Sequence, residues 1–141
     1  LMRIAAVVVA WNGGEALERC IASVRGQGIF RLVIVDNASR TAERDRLQRL
    51  YGDLPEFELL LLPANVGFAE GANLGFRAAL EAGAEAVLLA TQDVTLEPDG
   101  LATLAAALRR EGAAIAGPLV LDQRDGRELS RGERLVPALI C

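Results

Sequence analysis

Four times before Gly112 a short, unbroken apolar run is followed by a segment whose apolar residues fall on one helical face, and few architectures satisfy that rhythm. Ile4-Ala5-Ala6-Val7-Val8-Val9-Ala10 shows no alternation, as a central strand covered on both faces requires, and it ends abruptly at Trp11-Asn12-Gly13-Gly14. From Glu15 to Arg25, Ala16, Leu17, Cys20, Ile21 and Val24 recur at one-face helical spacing, and Gly26 and Gly28 close the segment. The unit repeats with a strand from Leu32 to Val35, a polar turn Asp36-Asn37-Ala38-Ser39, and an Arg-rich helix from Ala42 to Tyr51 that turns Leu47 and Leu50 inward. A third strand, Phe57 to Leu62, leads through Pro63-Ala64-Asn65-Val66-Gly67 into a helix from Phe68 to Ala82 with Ala72, Phe76, Ala79 and Leu80 on one face. Val87 to Ala90 is the fourth strand. Pro98 fits the first turn of a helix that buries Leu101, Leu104, Ala105 and Leu108. Ala113 to Ala116 reads as a fifth strand, and Asp125-Gly126 as the tight turn of a hairpin after Leu119-Val120-Leu121. Strands alternating with helices of this length force parallel pairing through right-handed crossovers, so the expected class is α/β with a doubly wound, mainly parallel sheet. The expected organisation is one α/β domain over residues 1–117 and the opening of a second region over 118–141, with the chain cut rather than finished.

The charged residues exclude much chemistry. All 15 basic side chains are Arg, and Lys and His are both absent. A Walker phosphate loop needs its Lys, a Ser-His-Asp or Cys-His nucleophile needs an imidazole, and a zinc hydrolase normally needs His ligands. A formal charge of −4, with the Arg residues scattered, argues against a nucleic-acid partner. Cys20 and Cys141 lie too far apart for a disulfide framework or a metal pattern, and they read as plain thiols of a reducing cytoplasm. The apolar runs Ile4 to Ala10 and Leu101 to Leu108 are too short to cross a bilayer, and no signal-type core follows the N-terminus.

In an open parallel sheet, ligands bind in the crevice beyond the carboxyl ends of the strands. That rule brings Trp11-Asn12, Asp36-Asn37-Ser39, Asn65-Val66-Gly67 and Thr91-Gln92-Asp93 to one rim. Asp36 can accept the imide N–H of a uracil or thymine. Asp93 can hold a hard divalent ion, Mg²⁺ or Mn²⁺, whose remaining positions are filled by water and diphosphate oxygens. Without Lys, the metal and helix N-termini carry the phosphate neutralisation. Each piece also has a purely structural reading. Asp36 to Ser39 can cap the second helix, Asn65 and Gly67 can make a turn, and Gly67, Gly71 and Gly75 can let a helix approach the sheet. Trp11 can be core and Asp93 an ordinary loop acid. Convergence of all four clusters favours the ligand reading. A dinucleotide-binding domain is the first rival, but the turn after strand one lacks G-x-G-x-x-G.

The ordered set Val7 to Asn12, Val33 to Ser39, Asn65 to Gly75 and Leu88 to Val94 resembles the GT-A glycosyltransferases of family two, and within them the bacterial rhamnosyltransferase-like branch. The resemblance implies the N-terminal, nucleotide-sugar-binding part of an enzyme that transfers a sugar from a UDP- or dTDP-sugar to a glycan or lipid-linked acceptor, with inversion at the anomeric carbon. It implies that the family's Thr-Tyr-Asn motif, which lines base and ribose, falls on Ala10, Trp11 and Asn12, with the Thr hydroxyl missing. The strand-two Asp that binds the pyrimidine falls on Asp36, and the Asn-x-Gly segment on Asn65 and Gly67 with Asn73 beyond. The Asp-x-Asp metal motif falls on Thr91-Gln92-Asp93, where Asp93 alone keeps its carboxylate for Mg²⁺ or Mn²⁺ and Thr91 remains as a nucleotide-site residue. General base and acceptor pocket belong to a second half whose opening alone is resembled by Pro118 to Arg134. Asp122, Asp125 and Glu133 are acids of that stretch, and none is singled out as base. A lipid-linked acceptor would bring the intact enzyme from the cytoplasm to the inner membrane face; the sequence gives no oligomeric state. Two other classes stay open: a non-catalytic GT-A-like binding or assembly module, suggested by Thr91 and the missing base, and a nucleotidyltransferase. The latter is disfavoured because no basic residue follows strand one until Arg19.

Overall fold

The computed structural model describes residues 2–131, which form two compact units, one running through Pro98 and one beginning at Asp99. The first unit contains four strands, β1 (Ile4–Ala10), β2 (Arg31–Asp36), β3 (Phe57–Leu61) and β4 (Ala86–Thr91), and three helices, α1 (Gly14–Arg25), α2 (Thr41–Tyr51) and α3 (Phe68–Glu81). All strand pairs are parallel, in the order β3-β2-β1-β4. The chain builds outward from β1 to β3 and then returns to place β4 on the other side of β1. That reversal is the topological switch point, where doubly wound sheets leave a crevice at the strand carboxyl ends.

The two directions of travel explain the two helical layers. Right-handed crossovers put α1 and α2 on one face and α3 on the other. Ala6, Val8, Ala10, Leu32 and Ile34 pack with Leu17, Cys20, Ile21, Val24 and Leu47, while Ala5, Val7, Val9, Val33 and Val35 pack with Ala72, Ala78 and Ala79. Both parities of β1 and β2 are therefore buried, which is why these strands carry apolar residues without alternation. Gly71 and Gly75 are the contact points of α3. A Cβ on Gly75 would stand 2.3 Å from Val7 Cγ1, and one on Gly71 would stand 3.1 Å from Val9 Cγ1.

The second unit contains α4 (Gly100–Glu111) and an antiparallel hairpin of β5 (Val120–Leu121) and β6 (Glu128–Ser130). The hairpin turn falls where Asp125-Gly126 predicts it: Gly126 has φ +69° and its N–H donates to the Asp122 carbonyl.

Several expectations are corrected. Residues 113–116 form no strand; Ile115 is 76% exposed, and alanine-rich segments have little strand preference without a ladder to join. Pro98 precedes α4 rather than sitting in its first turn, because Asp99 takes a left-handed conformation (φ +61°) and starts the helix. Leu50 and Leu80 are exposed, so α2 buries Leu47 and α3 its small residues instead. Cys141, Glu133 and the apolar run from Leu135 lie outside the described residues. No helix among the described residues is long and apolar enough to cross a membrane.

Candidate functional site

At the switch point a cavity of about 310 Å³ opens between the ends of β1 and β4. Val9, Ala10 and Trp11 line it from β1, Thr91, Gln92 and Asp93 from β4, and Asn37, Asn65 and Phe68 close it from the β2 and β3 side. Of the residues singled out from sequence, Ala10, Trp11, Asn65, Thr91 and Asp93 meet here. Asn12, Asp36, Gly67 and Asn73 do not line the cavity.

Strand parity turns Asp36 out of the cavity lining. Its side chain follows Leu32 and Ile34 toward the α1/α2 layer, where it is fully buried. There its Oδ2 accepts the Ser39 N–H (3.2 Å) and lies 3.5 Å from Arg44 Nε on α2, while Oδ1 has no partner among the described residues. Asn37, one residue on, takes the opposite parity and reaches the wall. Its Nδ2 donates to the Gly67 carbonyl (3.1 Å) and its Oδ1 accepts the Val66 N–H (2.9 Å). Parity was the signal that could have found Asn37, because Val33, Val35 and Asn37 share the α3 side of β2.

Asn12 and Gly67 help build the frame. Asn12 Oδ1 accepts the Arg40 N–H (2.9 Å), and the Asn12 N–H donates to Ser39 Oγ (2.8 Å). Asn65 Oδ1 accepts the Gly67 N–H (2.9 Å), and Gly67 takes φ +83° before α3. Asp36 to Ser39 therefore tie the loops together; no side chain caps α2, whose N-cap is Arg40. Asn73 is exposed along α3. Asn12 (φ +48°) and Ala38 (φ +62°) hold left-handed conformations at this rim, each costing an L residue about 1 kcal/mol. The N-terminus of α1 is already occupied, since the Gly14 N–H donates to Glu43 Oε1 of α2 (2.9 Å). That leaves the start of α3, whose first residue Phe68 faces the cavity, as the helix terminus beside it.

Asp93 is the carboxylate of the lining, and none of the lining residues is cationic. No group of three or more acidic or Cys side chains that could hold a metal assembles among the described residues. One open hard-oxygen donor fits Mg²⁺ or Mn²⁺ with the remaining positions supplied by water and diphosphate oxygens, and it does not suit a metal held by protein alone. In the second unit, Arg124 hydrogen-bonds Asp122 and holds its carboxyl below the ordinary range, which makes it a weaker proton acceptor.

Beneath the β4 end, Cys20 Sγ donates to the Thr91 carbonyl (3.4 Å). Burial, with the charge of Asp93 acting in the same direction, pushes this thiol from 9.0 up to about 11. A raised folded pKa gives stability that is whole below the unfolded value and is lost as pH climbs through the folded one. In a chain with Cys141→Ser, the urea midpoint is expected to fall between pH 9 and 11, and to fall less when Cys20→Ala is added.

A reversing parallel sheet with an open cleft at its switch point defines an α/β domain of the doubly wound class. Residues 5–137 match Glycosyl transferase family 2, and the chain belongs to that family. It is 31% identical over 121 residues to the dTDP-rhamnosyl transferase RfbF of Shigella flexneri, covering 85% of this chain and 39% of that protein. The chain thus spans about two fifths of that relative's length. Among solved structures, S. aureus TarS 1-349 superposes with a TM-score of 0.61 at 19% identity, covering 79% of this chain and 33% of that fragment. The same TarS fragment in complex with UDP-GlcNAc gives a TM-score of 0.62 at 19% identity, covering 79% of this chain and 32% of that one. These likenesses show a GT-A-like fold.

Proposed function

We propose that this chain forms the donor-binding part of an inverting glycosyltransferase that uses a UDP- or dTDP-sugar and a glycan or lipid-linked acceptor. One observation carries the reading: in a family 2 chain, an exposed indole, neutral amides and a single carboxylate surround one cleft at the switch point. Trp11, 54% exposed, offers a face for the base. The amide of Asn37, held by the 66–67 main chain, forms the wall where an acid in the cavity had been expected. Asp93 is the residue that would hold Mg²⁺ or Mn²⁺, and such an ion supplies charge stabilisation to a departing diphosphate. The RfbF likeness supports a dTDP-sugar, and the UDP-GlcNAc complex of TarS supports a nucleotide sugar in general.

Calorimetry with UDP and dTDP, each with and without Mn²⁺, tests the reading. Micromolar to millimolar binding strengthened by Mn²⁺ is expected. No heat with either nucleotide in either condition would sink it. The departure at Thr91 favours a second reading, a GT-A-like binding module without transfer. Donor hydrolysis or transfer by a protein containing this chain eliminates that reading.

A further inference from the structure

Parallel pairing of β1 and β4 ends at Val9 opposite Thr91. Two residues beyond Val9, the main chain of Trp11 would be left without a ladder partner at the mouth of the cavity. Gln92 supplies one. Its Oε1 accepts the Trp11 N–H (2.8 Å) and its Nε2 donates to the Trp11 carbonyl (3.2 Å). A primary amide carries a donor and an acceptor in the same plane, like a peptide group, so the side chain acts as one more rung of the sheet. An ionised carboxylate lacks the donor, an aliphatic side chain lacks both, and a hydroxyl carries both on one atom, too close together to match a peptide group.

The surroundings are shaped to this contact. A Cβ on Gly13 would stand 2.8 Å from Gln92 Oε1 and 2.7 Å from Leu17 Cβ, so only glycine leaves room for the amide. The next residue, Asn12, is pinned by its N–H to Ser39 Oγ and turns the chain sharply at φ +48°. The Trp11 backbone is therefore fixed on both sides while its indole stays 54% exposed. A large aromatic side chain whose backbone is locked and whose face is open is preorganised to stack on a planar ligand.

We infer that Gln92 is a positioning residue: it clamps the Trp11 main chain to the β4 loop so that the indole is aimed as the platform for the nucleotide base. The inference rests on the donor-site reading above and adds a determinant that acts through Trp11. It explains why the middle position between Thr91 and Asp93 is a long primary amide.

Trp11 is the chain's single tryptophan, so its fluorescence reports this site alone. Gln92→Leu keeps length and removes donor and acceptor; Gln92→Met repeats the test with a second shape. In ligand-free protein, both variants are expected to lower Trp11 anisotropy and increase acrylamide quenching, with circular dichroism and the urea midpoint verifying the fold. Loss of two neutral hydrogen bonds is expected to weaken UDP and dTDP binding about tenfold. Binding of pyrophosphate with Mn²⁺, which has no base to stack, should stay within about twofold. In a Trp11→Leu background, Gln92→Leu should cause no further loss of nucleotide affinity.

Unchanged anisotropy and quenching overturn the clamp, as does a loss with Gln92→Leu that persists undiminished in the Trp11→Leu background. An equal loss for pyrophosphate assigns the effect to the Asp93 side and overturns it also. If the variants show the fluorescence changes but the parent chain binds neither nucleotide, the donor-site reading fails, and the base-platform role fails with it. Nucleotide binding that is unaffected by both Gln92 variants removes the clamp alone.

Discussion

Gly75→Ala is expected to destabilise the chain by about 2 kcal/mol. The new methyl would be placed 2.3 Å from Val7 Cγ1 and 3.1 Å from Val35 Cγ2. Neither valine can withdraw, because both are fully buried in the middle of the sheet. Overpacking of this kind costs about 1–3 kcal/mol or more, against which alanine's better helix propensity returns about 1 kcal/mol. The result is read from the urea midpoint. Gly71→Ala meets its nearest carbon only at 3.1 Å and should cost less. The cause is separable from propensity: Val7→Ala should be harmful alone and should recover part of the loss in the Gly75→Ala background, a coupling of about 1 kcal/mol or more. Equal midpoints for parent and Gly75→Ala would mean that α3 rides farther from the sheet than described.

Asp93→Asn is the second large effect, and it falls on binding instead of stability. If Asp93 holds the divalent ion, the replacement should erase the strengthening of UDP or dTDP binding by Mn²⁺. The loss expected for one charged donor is about 2 kcal/mol, roughly 30-fold in Kd. In EDTA the sign should reverse: with one negative charge gone from the cavity, nucleotide binding should hold or tighten slightly. The side chain is exposed, so the urea midpoint should move by less than about 0.5 kcal/mol. Because Asp93 helps raise the Cys20 thiol pKa, the same substitution should lower it, an internal check that the carboxylate faces this side. Retention of full Mn²⁺ enhancement in Asp93→Asn would remove Asp93 from the metal role.

The first unit was legible because its signal is coarse. Continuous, β-branched runs such as Ile4 to Ala10 fit strands buried on both faces, and the glycines after each helix mark where they stop. Element order then fixed the parallel class and the rim. Finer placement failed where neighbours decide. Leu80 and Gly75 both lie on α3, and hydrophobicity alone favours the leucine; the sheet instead selects the residue that permits the closest approach. At the rim, Asp36 looked like the ligand contact because it is charged and terminal. Its direction is set by the two-residue period of β2, which was available in Leu32 and Ile34 but is easily ignored at a strand end. Gln92 could not have been recognised in advance, since its value depends on the β1–β4 register opposite Trp11.

The bonds that frame the cleft also say when it comes into being. Trp11 and Gln92 are 81 positions apart, Asn12 and Ser39 27, Gly14 and Glu43 29, and Asn37 and Gly67 30. Each closes a long loop before it returns any energy, so such contacts form late in folding. A polypeptide leaving the ribosome has no half-built pocket to offer; recognition begins only after the fourth strand has emerged and threaded back beside the first. If the proposed nucleotide binds there, it would act as a latch on the finished sheet, favouring the folded state by mass action.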